Sequence, residues 1–195
     1  MDRFKSFQAL CRQATAERDF VIEVRRGPSA VAIMAPHGGR IEPGTDALAR
    51  AVAGSRHSYY AFKGVRPMNN IELHISSRRF DEPRALALAR QVRTIVTLHG
   101  CRSSYPAICV GGLADDLCRK VIRALREAGF DAAKSPNPSL RGVHPHNLCN
   151  RGLSGKGVQL ELSAQLRRRL LNRAFHTAGR PHPLGTFAAA VRSAL

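Results

Sequence analysis

With 195 residues, 44% of them hydrophobic, the chain is long enough for one compact domain with a real core and short for two. No stretch approaches the ~20 apolar residues of a membrane-spanning helix, and the N-terminal MDRFKSFQALCRQATAERDF is broken by charges instead of built round an export signal, so a protein made and folded in the cytoplasm is expected. The 31 Lys and Arg against 14 Asp and Glu, a formal charge of +17, draw in polyanions of any class, while five cysteines (Cys11, Cys101, Cys109, Cys118, Cys149) with no CxxC pair indicate neither a disulfide framework nor a thiolate zinc knuckle.

In chain order, FVIEVR (Phe20 to Arg25) and AVAIMA (Ala30 to Ala35) read as strands, and TDALARAV (Thr45 to Val52) as a helix entered through Pro-Gly. Tyr59 to Phe62 and Glu72 to Ser76 (ELHIS) are predicted strands. A helix then opens at Glu82 with proline in its first turn, where the missing amide costs little. TIVTL (Thr94 to Leu98) and Ala107 to Val110 are short buried strands. Asp115 to Ala128 carries Leu117, Val121, Ile122 and Leu125 on one helical face and closes at Gly129. Ser135 to His146, SPNPSLRGVHPH, is a loop. VQLEL (Val158 to Leu162) is a strand, Ser163 caps a helix running to Ala174, and Thr186 to Ala194 forms the last helix. Strands alternating with helices predict an α/β fold: a single domain over 1–195, its central sheet flanked by helices on both faces. In such a fold ligands gather outside the carboxyl ends of the strands.

Three strand ends carry unusual polar residues: Pro36-His37-Gly38-Gly39-Arg40-Ile41-Glu42, Leu98-His99-Gly100-Cys101-Arg102, and Glu161 within VQLEL. A catalytic zinc takes three nitrogen or oxygen ligands and keeps a position open for water. His37 and Glu42, joined by a Gly-Gly turn, and His99 from a neighbouring strand end make such a set. Glu161 is then free to act as general base, taking a proton from water and passing it to a leaving amine. The competing reading of Glu161 is an edge residue facing solvent, because alternation puts Gln159 and Glu161 on the same face.

The blocks APHGGRIEPGTDALARAVAG, HISSRRFDEP, TIVTLHGCR, CVGGLADDL and CNRGLSGKGVQLELS resemble, in content and order, the poly-γ-glutamate hydrolase family, phage and bacterial zinc enzymes related in fold to the zinc carboxypeptidases. The matching blocks run from about His37 to about Arg169. The resemblance implies one zinc held by His37, Glu42 and His99, Glu161 as base, a mixed central sheet, and hydrolysis of the γ-amide bonds between glutamates. It departs from the carboxypeptidases at Asn150-Arg151, which falls after His99, whereas their carboxylate-binding Asn-Arg pair lies between the first two ligand segments.

A γ-glutamyl polymer presents one carboxylate per residue, which guanidinium groups engage bidentately. Arg40, Arg78, Arg79 and Asn150 are therefore candidate substrate contacts, and Arg102 or Arg151 a candidate oxyanion donor; the alternative for each arginine is a structural ion pair or a solvated side chain. His74 is expected to pack or bond locally, and the run Arg167-Arg168-Arg169 to be a solvated helix face. Two other functions stay open. One is a zinc amidase for another γ-glutamyl or cell-wall peptide. The other is a basic nucleic-acid-binding module, against which three Tyr, eight Phe and no Trp argue, since they supply no evident stacking platform. The expected polymer is extracellular, which is met either by release on cell lysis, as for a phage-encoded enzyme, or by an intracellular γ-glutamyl substrate instead.

Overall fold

Between Phe20 and Ser163 the apolar runs of the sequence become the strands of one sheet. The computed structural model, which describes residues 2–101, 107–172 and 182–195, has β1 (Phe20–Arg25), β2 (Val31–Gly39), β3 (Ser58–Gly64), β4 (Thr94–Cys101), β5 (Ile108–Gly111), β6 (Ala132–Lys134) and β7 (Val158–Ser163). They lie side by side in the order β1-β3-β2-β4-β7-β5-β6. The central block β3-β2-β4-β7 is parallel. β1 is antiparallel to β3 at one edge, and on the other side β5 is antiparallel to β7 and parallel to β6, so the sheet is mixed.

Both faces of the parallel block are apolar, and both are covered. On one face Ile33, Tyr59, Val96, Leu98, Leu160 and Leu162 pack under α2 (Thr45–Ala53), α4 (Asp115–Glu127), α5 (Ala164–Leu171) and α6 (Pro183–Ser193). On the other, Met34, Tyr60, Phe62 and Ile95 meet α1 (Phe7–Cys11), α3 (Pro83–Ala89) and the segment carrying Leu73, Ile75 and Phe80. Fully burying one such side chain stabilises by about 1.5–3 kcal/mol. The helix starts follow from local chemistry: Ser163 Oγ accepts from Leu166 N at 3.2 Å, and the Glu82 carboxylate accepts from Arg84 N and Ala85 N at 3.0 and 2.8 Å, ahead of Pro83. None of the five cysteines is in a disulfide. Among the described residues no helix is long and apolar enough to cross a membrane.

Three elements differ from expectation. Glu72 to Ser76 is not a strand: Asn70–Leu73 forms a 3-10 turn and the chain then runs extended without pairing. Asn69 is left-handed, and the Asn70 side chain bonds both the amide and the carbonyl of Arg66, so local polar contacts replace a sheet ladder. Leu73 and Ile75 are nonetheless fully buried, so the alternation in ELHIS reports burial against the sheet. The short α1 and β6 carry too few periodic residues to stand out in the sequence.

The parallel strands place three carboxyl ends side by side, those of β2, β4 and β7. His99 pairs directly with Glu161 in the β4–β7 register. Leu98, Leu160 and Leu162 face the α2/α4/α5/α6 side, and alternation sends His99, Gln159 and Glu161 to the other.

Candidate metal centre and catalytic cleft

His37 reaches the same face by a different device. Ala35 packs on the α2 side, and strict alternation would send His37 there too. Between Ala35 and Gly38 the pairing of β2 with β3 slips by one residue, a bulge that turns the His37 ring toward His74, Ile75 and Phe80. Gly39, at φ +63°, then reverses the chain against Gly64, where a Cβ would collide with the Gly64 carbonyl. The turn closes through Glu42 N donating to His37 O at 2.8 Å, which brings the Glu42 carboxylate back over the strand end.

Three donor groups converge there. His37 Nδ1 lies 3.1 Å from His99 Nδ1 and 3.2 Å from Glu42 Oε1, and His99 Nδ1 lies 3.6 Å from Glu42 Oε2. The outward nitrogens are engaged: His37 Nε2–H donates to the Ile75 carbonyl at 2.8 Å, and His99 Nε2 is 3.3 Å from Ser77 Oγ. Because a carbonyl only accepts, His37 keeps a proton on Nε2; a second proton on Nδ1 faces Glu42 when no ion is present, and its loss turns a lone pair inward, the tautomer that an outer-sphere acceptor selects in a metal ligand. Two imidazole nitrogens at 3.1 Å beside a carboxylate need a cation or a shared proton between them. A tetrahedral zinc with ligand bonds of about 2.0–2.1 Å separates its donors by about 3.3 Å, so the residues fit such an ion, and His37, Glu42 and His99 could hold a metal.

The surrounding electrostatics follow from burial. Burial raises the Glu42 carboxyl, but the charge and hydrogen bond of His37, then those of His99, prevail and hold it far below the usual carboxylate range. For Glu161 the balance falls the other way: burial first, and the Glu42 charge second, outweigh the charges of His37 and Arg167 and the Gln159 hydrogen bond and push it up to about 8. Its Oε1 accepts from Gln159 Nε2 at 2.9 Å, and Gln159 Oε1 in turn accepts from Asn147 Nδ2 at 2.9 Å. The base candidate is thereby held by a two-step amide relay. Glu161 is 6% exposed and lines, with the three donor residues, a cleft of about 340 Å³. The solvent-edge reading of Glu161 is corrected, because the polar face of β7 is roofed by the loop containing Leu140 and Asn147.

A chain that folds this way has close counterparts. The poly-gamma-glutamate hydrolase family profile matches residues 4–191. The chain belongs to that family. YoqZ, a SPbeta prophage-derived protein of Bacillus subtilis, is 37% identical over 180 residues, covering 92% of this chain and 65% of YoqZ, so the chain spans less than two thirds of that relative. A solved bacteriophage poly-gamma-glutamate hydrolase superposes with a TM-score of 0.89 at 32% identity, over 100% of this chain and 96% of that one. YndL, solved in a form described as apo and zinc-free, gives 0.88 at 30% identity, over 100% and 97%.

Within this family member the predicted arginines separate. Arg78 is exposed and lines the cleft. Arg40 donates to the carbonyls of Arg66 and Pro67, and Arg79 pairs with Asp2 at 3.1 Å; neither lines the cleft. Arg151 is not placed as an oxyanion donor: its guanidinium clamps the carbonyls of His146, Phe80 and Arg78 at 2.8–2.9 Å. Asn150 is equally committed, donating to Gly142 O and His144 O and accepting from Leu113 N and Gly157 N. Arg102 lies outside the described residues.

Sequence reasoning missed five contributors. His74, expected to bond locally, does donate from Nδ1 to Asp2 at 2.8 Å, but its ring also stacks on His37 with centroids 3.9 Å apart and lines the cleft. Gln159 carried a signal in its alternation with Glu161. Asn147 and Ser77 carried none, being polar residues in loops. Arg167 was assigned to a solvated face, yet it is 8% exposed, whereas Arg168 and Arg169 are exposed.

Proposed function

We propose that the protein is a zinc-dependent hydrolase of γ-glutamyl amide bonds, with poly-γ-glutamate as its substrate. The observation that carries the reading is the inward convergence of His37 Nδ1, His99 Nδ1 and the Glu42 carboxylate beside a buried Glu161 that belongs to none of them. Membership of the family and the zinc-free description of YndL support the choice of zinc and of polymer.

When bound, the ion supplies Lewis acidity, acidifying a water and polarising the scissile carbonyl. Glu161 takes the proton of the attacking water and delivers it to the leaving amine nitrogen. Gln159 holds the carboxylate oxygen that is not in use, so the base stays oriented through both transfers. With a divalent ion held by His37, Glu42 and His99, Glu161 would lose the proton that burial keeps on its carboxyl and serve as a base near neutral pH. Arg78, at the cleft, pairs with an α-carboxylate of the polymer and fixes its register. Arg102, three positions after His99, keeps the oxyanion role from which the clamped Arg151 is removed.

Glu161→Gln tests the assignment. Zinc content should stay at the wild-type level while hydrolysis of poly-γ-glutamate falls by roughly 10²–10⁴, the usual worth of a positioned base. Full activity with zinc bound would refute the base assignment. Assaying short γ-glutamyl amides beside the polymer separates a polymer hydrolase from an amidase of small substrates.

A further inference from the structure

Arg167 is the first residue of a three-arginine run whose other members face solvent. Its Nε donates to Leu162 O at 3.2 Å and its Nη1 to Pro43 O at 2.5 Å. The flat of the guanidinium lies against Gly100, where an added Cβ would come within 2.5 Å of Cζ. The three contacted residues share one property in the sequence. Leu162 follows Glu161, Pro43 follows Glu42, and Gly100 follows His99.

One buried side chain thus holds the immediate chain neighbour of two metal ligands and of the base. The remaining links are short: Gly100 N donates to Glu42 Oε2 at 2.8 Å, and Glu42 N donates to His37 O at 2.8 Å. Removing a guanidinium from water is costly, and an apolar side chain would fill the same space at less cost. A planar fork that reaches two carbonyls while its face abuts a glycine is something only arginine offers.

We propose that Arg167 is a positioning residue for the metal centre, the strap that fixes the mutual spacing of Glu42, His99 and Glu161. The assignment rests on the reading that His37, Glu42 and His99 hold zinc. Arg167 is not among the residues that line the cleft; it acts through the three backbones it joins. Gly100 is part of the same device, since any larger residue displaces the guanidinium.

The test measures zinc affinity by chelator competition, together with kcat and KM on the polymer. It uses wild type, Arg167→Lys, Arg167→Met, Gly100→Ala and, as a charge control, Arg168→Gln. The Arg167 variants should bind zinc roughly 10–100-fold more weakly and lose kcat with KM changed less than about twofold, the scale seen when an outer-sphere partner of a metal site is removed. Arg168→Gln should match wild type in zinc affinity. Gly100→Ala should weaken zinc binding in the Arg167 background and add little in the Arg167→Met background, as coupled positions do. If Arg167→Met does not fold, Arg167→Lys and Gly100→Ala decide the question. A folded Arg167→Lys with wild-type zinc affinity and kcat overturns the proposal while leaving the metal reading intact. Failure of the wild type itself to bind zinc overturns that reading and this inference with it.

Discussion

In the metal-free protein, Glu161→Gln should raise stability at neutral pH and lower it by about 1 kcal/mol in acid, where only the cost of burying the amide hydrogens remains. Glu161 is held at about 8 in the fold against an ordinary 4.5, burial being the larger cause and Glu42 the next. Below pH 4.5 the carboxyl is protonated in both folded and unfolded chains and contributes nothing. As the pH rises from there the unfolded chain ionises first, and the folded state loses stability until about pH 8, where both forms are charged. Each pH unit crossed costs about 1.4 kcal/mol, so the penalty at pH 7 is roughly 3 kcal/mol. Glutamine keeps the oxygen that accepts from Gln159 but adds amide hydrogens in a buried place, which takes back about 1 kcal/mol. About 2 kcal/mol should remain, a Tm higher by roughly 4–8 °C for a chain of this length. Thermal unfolding of the chelator-treated pair between about pH 4.5 and 8 measures it. The advantage should grow with pH and shrink once zinc is added. A Glu161→Gln variant less stable than wild type at about pH 8, or an advantage independent of pH, would refute the reasoning.

Two further substitutions probe the site from other sides. Arg78→Gln should raise KM for the polymer about fivefold with kcat little changed, the loss of one exposed carboxylate contact of about 1 kcal/mol; unchanged KM removes Arg78 from the substrate site. Gly39→Ala forces a Cβ into left-handed backbone at a cost of roughly 1–2 kcal/mol and into the Gly64 carbonyl besides, so denaturant unfolding should show a loss of at least that size, with weakened zinc binding; wild-type stability would contradict the turn geometry.

The parts of this molecule that were legible in its sequence are those that depend on period. The apolar runs at Phe20, Val31, Thr94 and Val158 become strands, the Asp115 face becomes α4, and alternation alone sends His99 and Glu161 to one side of the sheet. His37 and Glu42 were visible because a Gly-Gly turn between two ligand types is unusual after a strand. The bulge that lets His37 face the other two was not, because a slipped register leaves no mark in residue types. Arg167 illustrates the opposite limit: three consecutive arginines look alike in a sequence, and the helix phase that buries the first of them is settled by Gly100 and Pro43, far away in the chain. The same holds for Asn150 and Arg151, read from the sequence as a candidate substrate contact and a candidate oxyanion donor. In the fold they tie loops together through main-chain carbonyls.

Everything proposed for the cleft depends on the metal. Titrating zinc into chelator-stripped protein while following release of γ-glutamyl fragments tests it directly. Binding should saturate at about one zinc per chain, hydrolysis should rise in proportion, and His99→Ala should abolish both. Polymer cleavage that persists in excess chelator, or zinc that binds equally well to the His99→Ala chain, would contradict it.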